Sequence, residues 1–160
     1  MFECMKKIFT PFLFIVATLL LCSTTVKGEG GTTDDGLSWD LTNGVLTISG
    51  TGAMRDYATS TTFGGKKSPW YASRESVTKI IVNEGVTALG TYAFSRSINC
   101  TEISLPSTLT NIKNSALYNC SNVTKITCKA STPPTLPAPT SGGIYQCFQY
   151  VPTDCPIYVP

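Results

Sequence analysis

No histidine occurs among the 160 residues of this chain. Its absence excludes Ser-His-Asp and Cys-His catalysis and removes the commonest zinc ligand. The seven cysteines include no Cys-x-x-Cys spacing, so nothing argues for a structural zinc site. Charge is scarce as well. Twelve Lys and Arg stand against ten Asp and Glu, and residues 1–28 hold Lys6, Lys7, Lys27 and Glu3, which leaves nine facing nine. A neutral remainder without a basic stripe is poorly equipped to neutralise phosphates, so nucleic acid is not an expected partner. Phosphate-cradling loops are missing too, because Gly50-Thr51-Gly52 and Gly64-Gly65 lack the strand–helix context that gives such loops meaning. The carboxylates Asp34, Asp35, Asp40, Asp56, Glu75, Glu84 and Glu102 fall at unrelated positions and read as solvated charges, not as a glycosidase pair. These absences predict a protein that is not an enzyme and needs no cofactor or metal.

Long apolar runs are also lacking, with one exception. Lys6 and Lys7 precede an uncharged, mostly apolar stretch from Ile8 to Leu21. It is short for a bilayer span and polar residues follow at once, so residues 1–28 read as a secretory signal peptide. Lipidation at Cys22 is the less favoured alternative, because Leu21 is larger than a lipobox usually tolerates. No second apolar span suggests a membrane anchor in the mature chain.

What is present is a repeat. Shifted by 23 positions, Val77, Cys100 and Val123 share a column, followed by Ile80, Ile103 and Ile126, then Val82, Leu105 and Cys128. Val86 meets Leu109, Leu89 meets Ile112, and Ala93-Phe94 meets Ala116-Leu117. Thr78, Thr101 and Thr124 also coincide, although burial does not demand it. A period of this length predicts a mostly β solenoid, whose coils bury their apolar faces only by stacking. Each coil carries a short strand, a turn and a return segment expected to form a helical turn or two. Residues 77–160 make up this stack.

Ahead of it, Leu37, Trp39 and Leu41 alternate with polar residues, Asn43-Gly44 follows, and Leu46 and Ile48 alternate in turn. That pattern predicts a β-hairpin with both turn residues at positive φ. Residues 37–76 are therefore read as an N-terminal hairpin cap and linker, preceded by a flexible leader over 29–36. Trp70 and Tyr71 are expected to seal cap to first coil, with Tyr71 at the rim. At the other end, Cys128 is followed by a proline-rich segment, expected to break the third coil and close the stack before a last strand at Ile157–Val159.

Strand alternation assigns an outward face. Lys79 and Ile81, Glu102 and Ser104, and Lys125 and Thr127 point away from the apolar columns, with Lys129 one step along. Lys79, Glu102 and Lys125 are expected to align in a row on a face three strands wide. Five cysteines follow residue 28, an odd number. Cys100 and Cys128 sit in apolar columns as small hydrophobes, while Cys147 and Cys155 are a candidate short-loop disulfide, connectivity not being fixed by sequence.

Several of these segments resemble the BspA-type leucine-rich-repeat family: GVLTISGTGAM at 44–54, SPW at 68–70, EGVTALGTYAF at 84–94, LPSTLTNIKNSALYNCSNVTKI at 105–126, CKASTPPTL from Cys128 and VPTDCPIYVP from Val151. Coils of this family normally carry a cysteine near the turn. Here the second coil has Cys120 and the first has Ser97. The resemblance implies a secreted or surface-displayed bacterial protein of adhesion type. Its partner would be an extracellular protein of host matrix or microbial surface, bound through Lys79, Ile81, Glu102, Ser104, Lys125, Thr127, Lys129 and Tyr71. The alternative is a structural unit that associates weakly with itself and has no dedicated ligand.

Overall fold

The computed structural model describes residues 28–60, 65–139 and 146–160. The apolar run expected to be a signal peptide, Cys22 and Gly64 lie outside the described residues. A mixed sheet of seven strands and a parallel sheet of three share a single apolar core.

The larger sheet has seven strands in the order β1 (Glu29–Thr32), β2 (Ser38–Thr42), β3 (Val45–Ser49), β5 (Lys79–Val82), β7 (Glu102–Leu105), β9 (Lys125–Cys128) and β10 (Ile157–Tyr158). Asn43 and Gly44 take φ of 51° and 79°, as an Asn-Gly hairpin turn requires, and join β2 to β3 in antiparallel register. The hairpin does more than cover the first coil. β3 pairs in parallel with β5, placing Leu46 beside Ile80 and Ile48 beside Val82, so its strand extends the repeat columns. Ile157 of β10 extends this register half-exposed, while Leu41, Leu46, Ile80, Ile103 and Ile126 form a buried inner row across five strands. Fully burying each such aliphatic side chain is worth about 1.5–3 kcal/mol, which is what holds the strands in this register.

Residues 29–32 correct the expectation of a flexible leader. Two glycines and no apolar residue gave no strand pattern, yet β1 pairs with β2 through backbone bonds that need no side-chain pattern. Asp34 adds ion pairs to Arg55 and Lys66, tying this segment to the chain that follows the hairpin.

The smaller sheet stacks β4 (Gly52–Ala53), β6 (Val86–Leu89) and β8 (Asn111–Ile112) in parallel. Between β6 and β7, and again after β8, the chain returns by successive turns where a helical turn or two was expected. Ala93, Ser95 and Ser97 donate to carbonyls three residues back. Tyr92 and Arg96 in one arc, and Ser115 and Asn119 in the next, take positive φ and break any helix. That geometry turns alternate N–H groups towards the next coil: Phe94 donates to the Ala116 carbonyl at 2.8 Å and Arg96 to that of Tyr118 at 2.7 Å. In the third arc Gln146–Phe148 forms a 3-10 turn.

The third coil does not break down at its prolines. Thr135 bridges to Asn111 in the smaller sheet, Leu117 donates to the Cys147 carbonyl, and Asn119 donates to that of Gln149. Ile157 and Tyr158 then face Ile126 and Thr127, an offset of 31 where earlier coils show 23. The coil is complete with eight additional residues. Prolines at 133, 134, 137 and 139 flank the single bridged residue, so the missing N–H groups cost no ladder bond.

Trp70 carries the seal. It is 1 % exposed, donates from Nε1 to the Ala93 carbonyl at 2.9 Å, and stands within 6.0 Å of the rings of Trp39, Tyr57 and Phe94.

Candidate functional site

Strand parity sends one side chain in two to solvent, and the register then aligns these into rows. The first row reads Gly30, Asp40, Thr47, Ile81, Ser104, Thr127 and Tyr158, one residue from each strand of the larger sheet. Beside it runs Thr42, Val45, Lys79, Glu102 and Lys125. None of these residues is buried. The face is thus seven strands wide, where three were expected. Six spacings of about 4.8 Å make it about 29 Å across.

Electrostatics concentrate on the C-terminal half of this face. Lys79 Nζ lies 2.8 Å from Glu102 Oε2, and Lys125 Nζ stands 5.5 Å from the centre of the Tyr158 ring. The Lys79 hydrogen bond and charge hold the Glu102 carboxyl below the usual carboxylate range, with a further pull from Lys125. Both partners of the ion pair are largely solvated, so it organises the row more than it stabilises the fold. A shallow polar depression of about 150 Å³ is lined by Lys79, Glu102, Ile103, Ser104, Lys125 and Thr127.

Lys129 follows β9, donating its N–H to the Leu105 carbonyl at 3.1 Å. Its charge reaches Glu84, whose carboxyl is held low mainly by the Ser107 N–H. Tyr71, expected at the rim, lies in the 3-10 turn Pro69–Tyr71, outside the strands of the sheet. Its ring is flanked by Lys67 at 4.5 Å and the Arg74 guanidinium at 4.2 Å, and its hydroxyl lies 3.5 Å from the Thr59 carbonyl. Sequence reasoning missed Thr47, Asp40 and Tyr158. Parity alone exposes Thr47 between Leu46 and Ile48, and Tyr158 between Ile157 and Val159, once each segment is recognised as a strand of the same sheet.

The candidate disulfide is not formed: Cys100, Cys120, Cys128, Cys147 and Cys155 are all free. Cys147 is drawn fully into the core by the arc it belongs to, while Cys155 sits in the turn leading to β10 and is only partly covered. Burial pushes the thiols of Cys100 and Cys120 up to about 12 and that of Cys147 to about 11, so these three stay protonated and inert.

Residues 67–134 match the family described as "BspA type Leucine rich repeat region (6 copies)". The chain carries a BspA-type leucine-rich repeat region. β5, β6, β7, β8 and β9 of the leucine-rich repeat all fall inside the matched stretch, and the face continues beyond it on both sides. Among solved structures, a leucine-rich repeat protein from Eubacterium ventriosum ATCC 27560 is similar, with 23 % identity and a TM-score of 0.48. The similarity covers 83 % of this chain and 44 % of that one, so the chain spans less than half that protein's length. No curated protein matches.

Proposed function

We propose that this is an exported, non-catalytic module of adhesion type that binds an extracellular protein through the outer face of the seven-stranded sheet. The carrying observation is the pair of solvent-facing rows on this sheet, one running from Gly30 to the aromatic ring of Tyr158 and the other setting Lys79, Glu102 and Lys125 side by side. Such a surface offers a partner flat ground with one aromatic anchor, Tyr158, of the kind that carries binding energy, and three charges, Lys79, Glu102 and Lys125, that steer and orient it. Leucine-rich repeats generally act in protein–protein contact, and the histidine-free sequence argues in the same direction. Export rests on the charged-then-apolar start of the chain, with display at the cell surface or release as its outcome. Among the described residues no helix is long and apolar enough to cross a membrane.

A face about 29 Å across and four residues deep is small for a stable complex, so single-site affinity is weak and display in many copies strengthens it. The test is capture of the purified protein on immobilised host matrix proteins and on neighbouring bacterial surfaces. Replacing Lys79, Lys125 and Lys129 together by Ala is expected to weaken binding by about ten-fold or more, with an unchanged circular dichroism spectrum. Undiminished capture of the triple variant by every surface the parent binds would show that another face is used.

A further inference from the structure

β5, β7 and β9 are inner strands of the larger sheet, each paired on both sides. The depression of about 150 Å³ on their outer face therefore stands on a finished backbone ladder. Its side chains are less completely partnered. Ser104 and Thr127 face one another in register on β7 and β9, so their outward side chains stand about 4.8 Å apart. Among the described residues neither hydroxyl has a hydrogen-bond partner. Elsewhere on the coils such hydroxyls are engaged: Thr78, Thr101 and Thr124 each donate to a backbone carbonyl.

Charge is uneven in the same place. Lys79 Nζ pairs with Glu102 Oε2 at 2.8 Å, and these two charges offset one another. Lys125 has no carboxylate at ion-pair distance among the described residues; its ammonium stands 5.5 Å from the centre of the Tyr158 ring. Tyr158 is the register partner of Thr127, so ammonium and ring meet on the hydroxyl side of the depression. One positive charge and two hydroxyl donors are thus left over, all from β7 and β9.

A carboxylate is the group that uses all three. It carries one negative charge, and its two oxygens accept several hydrogen bonds at once. Ile81, half-buried and in register with Ser104, adds apolar contact for the methylenes behind such a group. A chain of repeated negative charges, such as a sulfated glycan, fits less well. Glu102 lies in the depression itself and Asp40 in the row of Ser104 and Thr127, and both repel it. A single carboxylate needs only the ground between Lys125, Ser104 and Thr127.

We infer that the depression receives one acidic side chain of the protein partner, its carboxylate held by the Lys125 ammonium and by hydrogen bonds from the Ser104 and Thr127 hydroxyls. The contact rests on the outer face being the binding surface proposed above, and it states what the partner carries there.

Backbone amide NMR shifts of the protein test it, with acetyl-Gly-Glu-Gly-amide added at low salt up to about 50 mM and acetyl-Gly-Gln-Gly-amide as its neutral counterpart. The Glu peptide is expected to shift the amides of Ser104, Lys125 and Thr127 saturably, and to bind about three-fold or more tighter than the Gln peptide. Lys125→Gln, and separately Ser104→Ala combined with Thr127→Val, are each expected to weaken that binding about three-fold or more at an unchanged circular dichroism spectrum. Equal binding of the two peptides overturns the inference, as does undiminished Glu binding in either variant. So does a sulfated disaccharide that shifts the same three amides at lower concentration than the Glu peptide. Capture lost in the Lys79, Lys125 and Lys129 variant without these peptide shifts leaves the binding face standing and removes only the carboxylate site. Capture undiminished in that variant removes the face and this contact with it.

Discussion

Thr78, Thr101 and Thr124 share a column although none is buried. The Thr124 hydroxyl donates to the Thr101 carbonyl at 3.2 Å, Thr101 to that of Thr78 at 3.2 Å, and Thr78 to that of Gly44 at 3.2 Å. Each threonine thus stitches its coil to the one before, a bond that hydrophobic patterning cannot announce. Ser97 shows the opposite case. It is fully buried one repeat ahead of Cys120, whose thiol reaches the Phe94 carbonyl at 3.3 Å, but the Ser97 hydroxyl has no partner among the described residues. A buried polar group left unpaired costs about 1–3 kcal/mol. Ser97→Cys, matching the next coil, is therefore expected to raise unfolding stability by about 1 kcal/mol, read from the urea midpoint at unchanged slope. A lowered midpoint would mean that the hydroxyl is satisfied.

At the level of elements, neighbouring coils are held by backbone contact as much as by side chains. Gly90, at the end of β6, is where the chain after β4 crosses closest. A Cβ there would stand 1.7 Å from the Arg55 carbonyl oxygen. The obstacle is backbone and cannot rotate away, so Gly90→Ala is expected to cost about 1–3 kcal/mol or more and to lower the melting temperature by several degrees. A melting temperature equal to the parent's would show that the contact between β4 and β6 is slack. The proline-rich segment teaches a related lesson. Its residues cannot donate to a ladder, but the third coil asks for only one bridge there, at Thr135, and resumes at Cys147. An eight-residue excursion is tolerated because the cost of closing a longer loop rises only slowly with its length.

For the whole molecule, several carboxylates pin distant parts to one another, and each is held below its ordinary value. Lys66 and then Arg55 lower Asp34, joining the start of the chain to the linker. Asp56, against the burial that raises it, is lowered by the Thr91 N–H and Lys113; the Ser107 N–H lowers Glu84, and Lys79 lowers Glu102. A depressed folded value contributes stability above the unfolded value and loses it as pH falls through the folded one. With ordinary values of 3.8 for Asp and 4.5 for Glu, the melting temperature is expected to be level at neutral pH and to fall once pH drops below about 4.5. Thermal melts across that range check it, and a melting temperature that rises on acidification would contradict these pairings.

The sequence by itself determined which side chains are interior and how coils repeat. Val, Ile and Leu recur at fixed columns, burial dictates their direction, and parity then dictates that Lys79, Glu102 and Lys125 face out. The Asn-Gly turn was equally legible, since few other residues accept positive φ at both positions. Tertiary structure alone decided how wide the sheet became. β1 joins through backbone bonds that leave no mark on composition, and β3 lies 34 residues before its partner, off the repeat. It also decided that the return arcs are turns, because the N–H groups of Phe94 and Arg96 gain more from the next coil than from a helix of their own. It also set the Tyr71 ring between two cations of the linker, Lys67 and Arg74, a placement that no local pattern announces. Local pattern fixes what is buried; only the meeting of segments far apart in the chain fixes what lies side by side.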